Sequence, residues 1–130
     1  MIIRWQTAGL ALGLLLAAGC GEPAAEPLAV VRGVVTFRGS PLPGGLVVFT
    51  PDDDYGSRGQ CATGLIGPNG RFTLSTAGMA GAVTGKHRVT IAGPDGWSLP
   101  DRFLDPHLSG LRAEVVAGQE NVIDFKLEER

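Results

Sequence analysis

Residues 31–37 read Val31-Arg32-Gly33-Val34-Val35-Thr36-Phe37, and this stretch decides the fold because its hydrophobic character alternates from residue to residue. Successive side chains of a β-strand point to opposite faces, so positions 31, 33, 35 and 37 share one face of the predicted strand. The next residues, Gly39-Ser40-Pro41-Leu42-Pro43-Gly44, end it, since proline lacks a ladder donor and glycine accepts turn conformations. The pattern predicts a strand with one buried face, followed by a turn.

Similar short runs recur downstream and predict further strands. Between two of them, Gly67-Pro68-Asn69-Gly70 carries the Asn-Gly pair of a tight hairpin. These predicted strands lie at residues 46–50, 60–66, 71–75, 87–92, 113–116 and 121–127. About seven short strands with regular turn signals are typical of an antiparallel β-sandwich. We therefore predict an all-β fold of seven antiparallel strands, with a glycine-rich, mobile loop over residues 76–85 and a long excursion over residues 93–112.

The composition restricts the classes of protein to which the chain can belong. Its 130 residues suffice for one domain, and 20 glycines and 9 prolines favour turns over helices. The formal net charge is −2 and is spread along the chain. Nucleic-acid binding requires clustered lysine and arginine, which displace counterions from the phosphates. The sequence therefore predicts no nucleic-acid partner.

The first segment has the pattern of a secretory signal. Arg4 supplies one positive charge, and an apolar run over residues 8–18 follows it. The run is shorter than the roughly 20 residues that a membrane-spanning helix needs, and Gly21-Glu22-Pro23 ends it. We therefore expect residues 1–19 to be a signal peptide that is removed.

Leu16-Ala17-Ala18-Gly19-Cys20 resembles the lipobox of bacterial lipoproteins, in which small residues precede a cysteine. The family more often has leucine in place of Ala17. The resemblance implies a lipoprotein with a diacylglyceryl thioether on Cys20 and, in many bacteria, an amino group acylated with a fatty acid such as palmitate. Two or more acyl chains anchor a protein stably to a cell membrane or an outer membrane, here on the extracytoplasmic side. The alternative is an ordinary secretory signal in which Cys20 has no special role.

Residues 20–29 hold two prolines, two acids and little apolar surface, so we expect a flexible tether. The predicted organisation is a signal peptide over residues 1–19, a lipid-anchored tether over residues 20–29 and a β-sandwich domain over residues 30–130.

Residues 31–42 (VRGVVTFRGSPL) and 45–51 (GLVVFTP) resemble the opening strands of carboxypeptidase regulatory-like domains, which have the transthyretin-like fold. Residues 67–74 (GPNGRFTL) and 85–91 (GKHRVTI) are similar to that family's hairpin and following strand, although His87 stands where the family usually has tyrosine. The resemblance covers residues 30–127 and implies a Greek-key β-sandwich. Its motifs are turn glycines and core aromatics, so they imply a fold and say little about activity.

The side chains that could carry chemistry are few. His87 and His107 lack the closely spaced partners of a zinc site, so we expect each at the surface or its rim. Asp52-Asp53-Asp54 is expected to be a solvated loop tip, with a calcium site as the alternative. If Cys20 is acylated, Cys61 has no disulfide partner and is expected to pack as a small apolar residue. The sequence therefore nominates no catalytic residue, no metal and no cofactor.

Trp97 and Phe103 lie in the long excursion, where aromatic side chains either stack on a ligand or pin the loop to the core. We expect a non-enzymatic, lipid-anchored cell-envelope protein with a structural, display or interaction role toward a protein or glycan partner. The alternative is a carbohydrate- or ligand-binding module that uses residues 93–112. A transthyretin-like hydrolase is a third possibility, but those enzymes carry a Tyr-Arg-Gly-Ser tail, whereas this chain reads Glu128-Glu129-Arg130.

Overall fold

A computed structural model describes residues 27–129. This part of the chain consists of short β-strands and turns, and its only helical segments are two 3-10 turns, at Asp53–Tyr55 and Asp101–Leu104. Frequent glycine and proline keep each regular segment short, and the β-branched residues between them favour the extended conformation. The prediction of an all-β fold is confirmed.

The described strands are more numerous than the seven predicted, because several contain only two or three residues. In chain order they are β1 (Leu28–Ala29), β2 (Val31–Phe37), β3 (Ser40–Pro41), β4 (Leu46–Pro51), β5 (Ala62–Leu65), β6 (Arg71–Thr73), β7 (Ser75–Thr76), β8 (Met79–Ala80), β9 (Ala82–Val83), β10 (Gly85–Ala92), β11 (Leu111–Val115), β12 (Asn121–Val122) and β13 (Phe125–Leu127).

The larger sheet has the strand order β11-β10-β4-β5-β7-β8, and every neighbouring pair in it is antiparallel. On its central pair, Val89 and Ile91 of β10 lie opposite Phe49 and Val47 of β4. All four side chains are buried, so this face of the sheet forms one side of the core.

The second sheet is built around β2, which pairs with β3, β6, β12 and β13. β12 and β13 run parallel to β2, with Val31 opposite Asn121 and Phe37 opposite Leu127. The prediction of a purely antiparallel arrangement is therefore wrong for these strands. The turn after β11 returns the chain to the end of the domain at which β2 begins, so β12 starts there and must run in the same direction.

The single strand predicted over residues 121–127 is interrupted at Ile123 and Asp124. The backbone N–H of Ile123 donates to the carbonyl of Arg32 at 2.8 Å, and the N–H of Val34 donates to Oδ1 of Asp124 at 3.0 Å. A side-chain carboxylate thus replaces a backbone carbonyl as the acceptor for Val34. Bonding to β2 continues across the interruption for this reason.

The core contains side chains from both sheets. Phe49 of the larger sheet meets Phe125 of the second sheet edge-to-face, with 6.0 Å between ring centroids, and Phe125 stacks on Phe72 at 6.1 Å. On β2, Val31, Val35 and Phe37 are buried on one face, as the alternation predicts. Full burial of such a side chain stabilises a fold by about 1.5–3 kcal/mol relative to exposure.

Two segments are more regular than predicted. β1 pairs with β9, so strand pairing begins at Leu28, inside the range expected for the tether. Residues 76–85, expected to form a mobile loop, contain β8 and β9, and Oγ1 of Thr76 donates to the carbonyl of Gly81 at 2.8 Å. Strands of two residues are too short to produce a hydrophobic period, so the sequence pattern does not reveal them.

The strand registers define two ends of the domain. The proximal end, where β2 begins, contains Pro27, the connections over residues 52–61 and 116–120, and the turn of the β7–β8 hairpin. The distal end, where β2 finishes, contains the β2–β3 turn, the segment from β3 to β4, and the connections over residues 66–70 and 93–110.

The substitution Gly33→Ala tests the close approach of β2 to the backbone of Ile123 in the second sheet. A Cβ at position 33 would lie 1.8 Å from the carbonyl oxygen of Ile123, and this backbone is held by its own hydrogen bond to β2. We expect the free energy of unfolding to fall by about 3 kcal/mol, the upper end for overpacking. Urea denaturation measures it.

Gly67→Ala is the matched control, because its Cβ would lie 3.6 Å from the nearest atom, the carbonyl oxygen of Arg71. We expect this control to change the free energy of unfolding by less than about 1 kcal/mol. Equal losses of unfolding free energy in both variants would contradict the close approach of Gly33 to Ile123.

Candidate functional site

The excursion over residues 93–110, at the distal end, is ordered by specific contacts. The Phe103 side chain is only 1% exposed, and the Arg102 guanidinium lies 4.2 Å from its ring centroid. Arg102 also donates to the carbonyl of Ser109 at 3.1 Å, and Oγ of Ser109 donates to the carbonyl of Val89 at 2.6 Å. These contacts hold the excursion against β10.

The two aromatic candidates of the excursion have different environments. Phe103 is part of the hydrophobic core, so its ring pins the excursion to the sheet and offers no face to a ligand. Trp97 is 38% exposed, and its ring packs against Phe37 with 6.4 Å between centroids and a tilt of 59°. Of this pair, Trp97 alone presents an aromatic surface to solvent.

Trp97 lines a surface hollow of about 380 Å³ that sequence reasoning did not identify. Its aromatic wall is Trp97 and Phe37, and its polar lining includes Arg38, Ser40, Ser98 and Glu129. Alternation placed Phe37 in the core, but no sequence signal connected the turn after β2 with the excursion or with the residues after β13. These three segments meet because their strands end at the same end of the domain.

Arg38 reaches the hollow from a two-residue hairpin between β2 and β3. Its φ is 54° and that of Gly39 is 82°, and two positive φ values are the requirement of a type I′ turn. The Arg38 guanidinium lies 5.1 Å from the Phe37 ring centroid and forms an ion pair with Glu129. Both charged side chains remain more than half exposed.

His87 is buried, so the prediction of a surface or rim position is wrong for this residue. It occupies an inward position of β10, where its ring lies 5.5 Å from that of Phe49, and Nε2 is 2.7 Å from the carbonyl of Val83. Nδ1 is buried without a hydrogen-bond partner within the described residues. His87 therefore fills the core position that the alternation of β10 assigns to an apolar residue.

The acidic run at the proximal end divides into two environments. Asp53 and Asp54 are exposed, as expected for a loop tip, but Asp52 is only 2% exposed, which corrects that expectation. Its Oδ1 accepts from the N–H of Asp54 at 3.1 Å and lies 3.3 Å from Arg88 Nε, while Oδ2 lies 3.4 Å from Arg112. Asp52 thus caps the 3-10 turn and pairs with arginines on two strands, while Arg88 also donates to Asp54 at 2.7 Å.

The remaining candidates lie apart from one another. His107 is exposed, as expected, and its backbone N–H donates to Oδ1 of Asp105 at 2.8 Å. Cys61 is exposed and lies 3.7 Å from Thr50 Oγ1, so the expectation that it packs as an apolar residue is wrong. Within residues 27–129 no three His, Cys, Asp or Glu side chains converge as a metal site would require.

Cys20 and the predicted signal peptide lie outside the described residues. Residues 27–129 contain no helix with the length and apolar character needed to cross a membrane. Comparison of the chain with protein-family models, curated proteins and solved structures found no match.

His87 makes stability sensitive to acid. Burial disfavours the charged ring and lowers the pKa of His87 from its ordinary value of 6.5, while the Val83 carbonyl and the Asp52 charge act in the opposite direction. The unfolded chain therefore takes up this proton at a higher pH than the folded protein does. We expect the free energy of unfolding to fall as the pH drops below about 6.5 and His87 to contribute no slope well above it.

His87→Phe is expected to remove the part of the acid-induced loss of unfolding free energy that His87 causes. Urea denaturation at about pH 7.5 and about pH 5 measures this difference. The replacement retains an aromatic ring against Phe49. His107→Asn is the control, because His107 is exposed, and it should keep the acid sensitivity of the parent chain. If the free energy of unfolding of His87→Phe still falls as much at acid pH as that of the parent chain, another group is responsible.

Proposed function

We propose that the chain is a lipid-anchored cell-envelope protein whose domain, a non-enzymatic Greek-key β-sandwich, displays its distal loops to a partner. The lipid anchor is a thioether at Cys20, and the domain lies on the extracytoplasmic side of the membrane. The transthyretin-like resemblance of residues 30–127 supports the Greek-key arrangement, and the burial of side chains from two sheets in one core supports a sandwich.

The separation of the two ends of the domain carries this proposal. The described chain begins at Pro27 on the proximal end, whereas the longest connection, residues 93–110, lies at the distal end. Cys20 precedes Pro27 by seven residues, which span at most about 25 Å when extended. The seven residues of β2 add about 20 Å between the ends. An anchor at Cys20 therefore holds the proximal end near the membrane and leaves the distal loops accessible.

The surface of the excursion supports an interaction role. Leu104 and Leu108 are 59% and 64% exposed, and Trp97 is partly exposed in the same segment. Aromatic side chains are enriched in protein interfaces, where each contributes a large contact area. A partner that contacts the distal end would cover these side chains.

The anchor is tested by growing cells that express the full chain with an alkyne analogue of palmitate. We expect label on the parent chain and its complete loss in Cys20→Ser, because the thioether at this sulfur precedes acylation of the amino group. Cys61→Ser is the matched control and should keep the label, although its thiol is exposed. Label that persists in Cys20→Ser would refute the lipoprotein assignment.

A second candidate function is a carbohydrate- or ligand-binding module, and the partly exposed Trp97 beside a hollow favours it. A thermal-shift screen with a glycan and small-molecule library tests it. We expect at least one compound to raise the Tm, with the shift lost in Trp97→Ala and retained in the control Leu108→Ala. A shift that survives in Trp97→Ala would place binding elsewhere.

A further inference from the structure

The arginine at position 38 is not explained by the turn that contains it. A type I′ turn favours asparagine or glycine at its first central position, because other L-residues are strained at positive φ. The hairpin between β7 and β8 has the same geometry, with Ala77 at φ 50° and Gly78 at φ 84°. The Ala77 side chain is a methyl group without a polar atom, whereas the Arg38 guanidinium contacts Phe37 and Glu129 at the edge of the hollow.

The charges around the hollow are balanced. Glu129 neutralises Arg38, and the other polar lining residues are the uncharged Ser40 and Ser98. The guanidinium supplies N–H donors, the carboxylate supplies acceptors, and each hydroxyl can do both. This set is complementary to a neutral ligand that carries several hydroxyl groups.

The shape and the apolar wall narrow the ligand class further. A hollow of about 380 Å³ is at the small end of ligand sites, which combine apolar walls with a few polar groups that fix orientation. A pyranose ring has an apolar C–H face that can stack on an indole and hydroxyls at its rim. We infer that the hollow formed by Trp97, Phe37 and the Arg38–Glu129 pair binds a neutral pyranose, an inference that rests on the ligand-binding candidate function.

Other ligand classes fit these residues less well. An anionic ligand would compete with Glu129 for Arg38 and would leave that carboxylate without its partner. An apolar peptide would cover the ion pair without offering hydrogen bonds, and desolvation of unsatisfied charges is costly. A neutral sugar satisfies both members of the pair and keeps the aromatic contact.

The experiment uses tryptophan fluorescence. The chain has two tryptophans, and Trp5 lies in the predicted signal peptide, so the full chain carrying Trp5→Phe reports on Trp97 alone whether or not that segment is removed. The protein is purified in a polyoxyethylene detergent that contains no sugar. It is titrated with methyl β-glucopyranoside, methyl β-galactopyranoside, methyl α-mannopyranoside and, as the anionic probe, methyl β-glucuronide. We expect a saturable change with at least one neutral glycoside, with a dissociation constant in the millimolar range that is usual for one small ligand on a shallow site.

Arg38→Asn is the decisive variant, because asparagine suits the turn better than arginine does. We expect its Tm to equal or exceed that of the parent chain while its glycoside affinity falls at least tenfold. Ala77→Asn introduces asparagine at the corresponding position of the other type I′ turn, away from the hollow, so it should keep full affinity. Together these variants separate loss of binding from loss of fold.

Three results would overturn the inference: no saturable change with any neutral glycoside, a response to the glucuronide alone, or unchanged affinity in Arg38→Asn. If the thermal-shift screen nevertheless detects a compound that depends on Trp97, the ligand-binding candidate stands and only the neutral-sugar assignment fails. The label at Cys20 is independent of either result, so the anchoring proposal is judged separately.

Discussion

The fold depends on the close approach of the closing segment to β2 at Gly33. No side chain larger than hydrogen fits there, because the carbonyl of Ile123 occupies the position that a Cβ would take. The Asp124 carboxylate then bonds to the backbone of Val34, so the segment stays attached where its own ladder is interrupted. Through this contact the last strands pair with the first long strand, and Phe125 reaches the core beside Phe49 and Phe72.

Much of this architecture is visible in the sequence, because long strands with one buried face leave a period of two. The alternation in β2 and β10 located both strands and their buried residues. Gly67-Pro68-Asn69-Gly70 marked a real turn between β5 and β6, but the prediction of a tight hairpin is wrong, because β5 pairs with β4 and β7 whereas β6 pairs with β2 in the other sheet. Strand direction was harder to predict, since periodicity carries no information about the neighbour with which a strand pairs. The parallel return of β12 and β13 follows from the path of the chain after β11.

Side-chain environments were less predictable where a polar residue occupies a position inside the fold. His87 continues the inward positions of β10, and burial follows from that periodicity although histidine is usually exposed or partly exposed. Asp52 is buried because Arg88 and Arg112, remote in sequence, lie beside it. Residue type alone suggested that both side chains are exposed to solvent. The hollow beside Trp97 was likewise not predictable from the sequence pattern, because its lining comes from three segments that only strand pairing brings together.

The pairing of β2 with β12 and β13 also has a kinetic consequence. It joins residues about 90 positions apart, so β2 has no partner on that edge until nearly the whole chain is available. Contacts of such long sequence separation slow folding, because closing a long loop costs conformational entropy before the contact can stabilise the fold. One edge of β2 thus stays unpaired until this closing segment is available, although β3 and β6 can pair with its other edge earlier. The topology of the second sheet therefore delays completion of the fold until the last strands are available.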